Sequence, residues 1–97
     1  DQVVVVPGQI VSRTLAQNNF VSITLFAFSQ GEEISTHQSE GDAMVTVLSG
    51  TGRLTVDGTE HIVEAGQTLV MPAHKPHAVY AVEDLKMMLT VVFPCEP

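Results

Sequence analysis

Short apolar runs, broken at brief intervals by Gly, Pro, Asn and Asp, fill most of the chain. They predict strands at residues 3–6, 9–15, 20–28, 34–37, 43–49, 52–56, 61–63, 68–71, 77–82 and 86–93. The breaks fall at Pro7-Gly8, Asn18-Asn19, Gln30-Gly31, Gly50, Asp57-Gly58, Gly66 and Pro72. Many short strands at such spacing indicate an all-β sandwich or closed barrel. No segment carries a convincing amphipathic helix period, and the acidic pair Glu83-Asp84 reads as a turn ahead of the last strand. Asp57-Gly58 is the sharpest local signal, because a type I′ turn needs positive φ at both central residues. Residues 53–56 and 59–63 are therefore expected to form a tight hairpin.

Strand alternation gives a candidate interior. Val45, Val47, Leu54, Val56, Leu69, Met71, Val79 and Leu89 are expected to point inward, with Met44 and Met87 as further candidates. His77, Val79 and Ala81 share one face, opposite Ala78 and Tyr80, and His37 shares a face with Ser39. Core packing is the default role for every apolar member of this set.

Composition narrows the class. A chain of 97 residues with 44% apolar content and few aromatics is expected to be one domain, residues 1–97, whose β-branched side chains favour sheet. Eleven acidic against four basic residues give a formal charge of −7. That charge repels a phosphate backbone and an anionic bilayer, so neither nucleic acid nor membrane is an expected partner. Cys95 is the single cysteine; it has no internal disulfide partner, which agrees with a cytoplasmic setting, and it reads as an incidental tail thiol. The apolar run at 3–6 is far too short to span a bilayer.

Two segments carry the candidate chemistry. The first places Gly31, His37 and Gly50 in the register G-x5-H-x-H-x3,4-E-x6-G, with Ser39 at the second histidine and Ala43 at the glutamate. The second places Gly66, Pro72 and His77 in the register G-x5-P-x-G-x2-H-x3-N, with His74 at the glycine and Ala81 at the asparagine. Together they resemble the paired motifs of the cupin superfamily, in a small single-domain form whose first metal motif is degenerate. The resemblance implies a double-stranded β-helix, or jelly-roll barrel, with His37 and His77 facing one cavity. It also implies a divalent ion such as Fe, Mn, Ni or Zn, held in the family by three histidines and a carboxylate. This chain keeps two of those ligands, with His74 as the candidate third. Asp42 stands one residue from the glutamate position, on the wrong face by alternation.

The competing readings stay open at this point. His37 and His77 are either metal ligands or buried histidines satisfied by hydrogen bonds, and His74 is either a ligand or an exposed turn residue. His61 reads as a surface or interface residue. Ser39, Ala43, Val45, Met71 and Val79 are the expected pocket lining. The expected function is binding of a small molecule in the barrel, through a metal on the histidines or, alternatively, as a metal-free binding or sensing module. Whether it is an enzyme is left open by these residues. The runs at 3–6 and 89–93 are read as surplus edge strands, which predicts that a homodimer covers them.

Overall fold

The structure is a computed structural model that describes residues 3–94. Among these residues nine strands are present and no helix: β1 (Ile10–Gln17), β2 (Val21–Phe28), β3 (Glu33–His37), β4 (Asp42–Ser49), β5 (Thr51–Val56), β6 (Thr59–Glu64), β7 (Thr68–Met71), β8 (His77–Ala81) and β9 (Leu85–Val92). They form a five-stranded sheet in the order β1-β2-β9-β4-β7 and a four-stranded sheet in the order β3-β8-β5-β6. Every pairing is antiparallel, which agrees with the expected jelly-roll barrel. No helix is long and apolar enough to cross a membrane among the described residues.

Local chemistry accounts for the elements. Along β4 the inward residues Ala43, Val45 and Val47 are buried while Asp42, Met44 and Leu48 are exposed, the period of two that one buried sheet face imposes. β8 buries His77, Val79 and Ala81 and leaves Ala78 and Tyr80 partly exposed, the division alternation predicts. At the tip of the β5–β6 hairpin Asp57 has φ 50° and Gly58 φ 84°, as a type I′ turn requires. Val56 then pairs with Thr59 and Arg53 with Ile62. The inner faces meet in a core of Phe28, Val45, Val47, Leu54, Met71, Leu85 and Met87, all under 2% exposed. Full burial of such a side chain stabilises the fold by about 1.5–3 kcal/mol.

Two expectations are corrected. Residues 3–6 form no strand; Val3 instead packs on the outer face of the larger sheet against Leu25 and Ala27, with Val5, Val11 and Met88 around it. An irregular segment suffices there, because it covers an apolar patch with side chains and needs no backbone ladder. The C-terminal run is not an edge either: β9 lies between β2 and β4 in the middle of its sheet. Its continuous apolar character reflects burial on both faces, Met87 and Leu89 against the core and Met88 against the N-terminal segment. Cys95 lies outside the described residues.

Candidate functional site

His37 ends β3 and His77 opens β8, and the two stand opposite one another in the ladder between those strands. Their rings meet edge to face, with centroids 4.2 Å apart and planes inclined by 70°. Regular alternation would put Ile34 and His37 on opposite faces, since they are three residues apart. The ladder shifts register between them, and this irregularity turns both toward the same cavity.

Both imidazoles are oriented from behind. His37 Nδ1 lies 2.9 Å from the carbonyl oxygen of Ser35, and His77 Nδ1 lies 3.1 Å from that of Lys75. A carbonyl only accepts, so each Nδ1–H donates and each neutral ring leaves its Nε2 lone pair available. His77 is 3% exposed, whereas His37 is exposed and marks the mouth of the site. Burial lowers the His77 pKa from its ordinary value, and repulsion from a charged His37 lowers it further. The hydrogen bond to Lys75 acts in the opposite direction. His77 is thus held as the neutral base.

Around the pair is a cavity of about 80 Å³, lined by Phe26, Met71, Met87 and Leu89 from the larger sheet and Ile34, His37, His77 and Val79 from the smaller. Of the expected lining, Met71 and Val79 stand in this wall. Ala43 and Val45 are buried in the adjoining core instead. Ser39 is turned aside, its hydroxyl donating to the Gly41 carbonyl at 2.7 Å. It cannot share the face of His37 as alternation suggested, because β3 stops at His37 and the following residues are irregular. Phe26 and Ile34 were missed as lining. The spacing of Phe26 and Phe28 on one face of β2 could have found the first, whereas Ile34 depends on the register shift.

His74 is placed elsewhere. It lines a separate, solvent-facing concavity of about 310 Å³ with Glu40, Gly41, Asp42, Ala73, Val92, Phe93 and Pro94. Its φ is 64°, in the left-handed region, which explains why glycine is usual at this motif position; histidine is among the residues that tolerate it. Its N–H donates to the Ser39 carbonyl at 2.9 Å, and the neighbouring Ala73 N–H donates to Asp42 Oδ1 at 2.8 Å. The Asp42 carboxylate is therefore engaged on the outside, while Ala43 faces in. His61 is half-buried on β6, opposite Leu54.

These positions do not assemble the donor set of three histidines and a carboxylate. The cavity wall holds two imidazoles and no acidic group. Among the described residues no group of three or more His, Cys, Asp or Glu is placed to hold a metal ion.

Comparison with known proteins agrees with the fold and the motifs. A family model described as a cupin domain matches residues 24–93. A conserved protein of unknown function from Streptococcus pyogenes is similar at 48% identity and a TM-score of 0.92, over 96% of this chain and 82% of that one. A cupin superfamily protein from Desulfitobacterium hafniense is similar at 30% identity and a TM-score of 0.91, over 95% of this chain and 84% of that one. A cupin 2 conserved barrel domain protein from Leptotrichia buccalis is 41% identical with a TM-score of 0.89; the match covers 93% of this chain and 44% of that one. No curated protein sequence matches the chain. With the barrel, the two motif histidines paired across β3 and β8, and a family match over most of its length, the chain belongs to the cupin domain family.

Proposed function

We propose that this barrel binds a small, mainly apolar molecule between its sheets, and that His37 and His77 hold the polar end of that molecule. One observation carries the reading: His37 and His77, each with its Nδ1–H tied to a backbone carbonyl and its Nε2 left to accept, are the polar residues lining an otherwise apolar cavity. Such a wall suits a ligand with a hydrocarbon body and a hydroxyl or similar donor at one end. The volume of about 80 Å³ is far below the roughly 300–1,000 Å³ of drug-sized sites. It admits a body of a few heavy atoms, or the apolar end of a longer molecule leaving past exposed His37.

The binding-module reading is preferred to a catalytic one because, among the described residues, the two imidazoles are the only titratable groups on the wall. Nothing there supplies a nucleophile or a carboxylate partner for acid–base chemistry. A divalent ion on His37, His77 and His74 has less support, since His74 lines the other concavity. A homodimer remains part of the proposal, on a surface that shares only Val92 with the runs first expected to form it. Met44 and Val70 are paired on the outer face of the larger sheet, with Val92 in the next row, exposed by 38%, 59% and 56%. A second copy of the chain would cover them, and sedimentation equilibrium showing only monomer would remove that part. A cytoplasmic setting fits the single cysteine.

The test is a titration with short-chain alcohols and phenol against hydrocarbons of matching size, read by the histidine ring resonances. The hydroxyl compounds are expected to bind more tightly and to shift the His77 signals, and His77→Phe is expected to erase the difference. Equal binding of both series, or no change in the ring signals, overturns the reading.

A further inference from the structure

Exposed apolar side chains are spread unevenly over the barrel. Among the described residues eight large ones stand in solvent, and only Ile62 belongs to the smaller sheet. Met44, Leu48 and Val70 lie on the β4–β7 side of the larger sheet, Leu15 and Phe20 on its β1–β2 side, and Val92 on β9 between them. These six present roughly 500 Å² to solvent, well over half of the about 800 Å² that each partner buries in a standard complex. An apolar area of that size gathered on one face marks a contact surface. One row across the sheet, Ala16, Ile23, Thr90, Met44 and Val70, carries no charge on any of its five strands. A chain with a formal charge of −7 meets its own copy at least cost where carboxylates are absent. Val3 packs over Leu25 and Ala27, in the rows beyond this one.

The nearer end of the sheet holds a protrusion on one side of β9 and a hollow on the other. β1 ends and β2 begins there, and the turn between them carries Phe20, 63% exposed. Hydrogen bonds fix that turn: the Phe20 and Val21 N–H groups donate to Asn18 Oδ1 at 2.8 and 3.0 Å, and the Phe20 carbonyl accepts from the Phe93 N–H at 2.8 Å. On the other side of β9, where β4 begins and β7 ends, lies the concavity of about 310 Å³ with Val92, Phe93 and Pro94 in its wall. A benzyl group fits such a space, since a cavity of roughly 150 Å³ takes up benzene.

β9 is the central strand of five. Sheets stacked face to face keep their strands nearly aligned. A two-fold axis along β9, between two outer faces, therefore sets β1 of one copy over β7 of the other and β2 over β4. The same operation lays like ends together and seats each Phe20 turn over the hollow of the opposite copy. We propose that the outer face of the larger sheet is a two-fold interface between copies of this chain, in which Phe20 of each copy fills the concavity beside Asp42 and His74 of the other. The proposal rests on the homodimer reading above, and it extends that surface across β9 to β1 and gives the concavity an occupant.

Sedimentation equilibrium and cysteine cross-linking test it, both in the full chain carrying Cys95→Ser so that no other thiol reacts. That parent is expected to be a dimer at micromolar concentration. Phe20→Ala and Val70→Asp are each expected to raise the dimer dissociation constant at least tenfold, and Ile62→Ser to leave it unchanged. Phe20→Cys and Glu40→Cys chains, each oxidised alone with diamide, are expected to stay unlinked, whereas a mixture of the two forms a disulfide-linked dimer. A parent that is only monomeric overturns the homodimer and this proposal together. A dimer unweakened by Phe20→Ala or Val70→Asp, equal weakening by Ile62→Ser, or no cross-link in the mixture overturns this proposal and leaves the homodimer standing.

Discussion

Met87→Ala tests whether the space between the sheets is a true void against which core side chains are already underpacked. Met87 and Leu54 are both buried, at 1% and 0% exposure, but only Met87 lines the cavity. Truncation of a buried Leu or Met to Ala generally costs about 2–5 kcal/mol, rising with the volume left empty. A side chain facing a void has no partner atoms on that side and loses fewer dispersion contacts on removal. Met87→Ala should therefore fall near the lower end, about 2–3 kcal/mol, and Leu54→Ala near the upper, about 3–5 kcal/mol. For a domain of this size each kcal/mol lowers Tm by about 4–8 °C, giving drops of roughly 8–24 °C and 12–40 °C. Both losses lie within the 5–15 kcal/mol typical of a folded domain, so urea unfolding at constant slope is the assay of choice. The enlarged Met87→Ala cavity should also bind benzene more tightly than the wild-type barrel does. A Met87→Ala cost equal to or above that of Leu54→Ala, with no gain in benzene binding, would refute the reasoning.

The remaining predictions rest on single features. Since the His77 pKa is lowered from 6.5, the folded state binds fewer protons than the unfolded chain just below that pH. Stability contributed by neutral His77 is complete above pH 6.5 and is lost as the pH falls below it; urea midpoints between about pH 7.5 and 5.5 should slope in wild type and flatten in His77→Phe. Gly58 and Gly50 have φ values of +84° and +83°, but only at Gly50 would a Cβ overlap a neighbour, the Asp84 carbonyl oxygen. Gly58→Ala should cost only the left-handed penalty, about 1–2 kcal/mol, and Gly50→Ala clearly more; equal urea midpoints for the two would contradict this. Val3→Asp should lower stability by about 2 kcal/mol, because Val3 is buried over Leu25 and Ala27. A Tm within 2–3 °C of wild type would show that the segment does not cover that face.

Much of this protein is determined locally and was therefore legible in the sequence. Ala43, Val45 and Val47 announce an inward face by their period of two, and Asp57-Gly58 sets its own hairpin because the turn depends on two residues' φ preferences. The motif spacing of Gly31, His37, Gly66, Pro72 and His77 carried the barrel and the pairing of the two histidines across it. What tertiary structure decided is everything that depends on a neighbour from another strand. The register shift beside Ile34 turns His37 and Ile34 to one cavity, against simple alternation. The left-handed turn at His74 places a candidate ligand outside that cavity, whereas Asp42 lies outside it as alternation along β4 already indicated. The run at 3–6 becomes a cover instead of a strand because an apolar patch beneath it needs side chains, not hydrogen bonds. β9 is central because pairing partners are chosen by the whole sheet. Periodicity reports which way a side chain points from its own strand; only packing determines what it meets there.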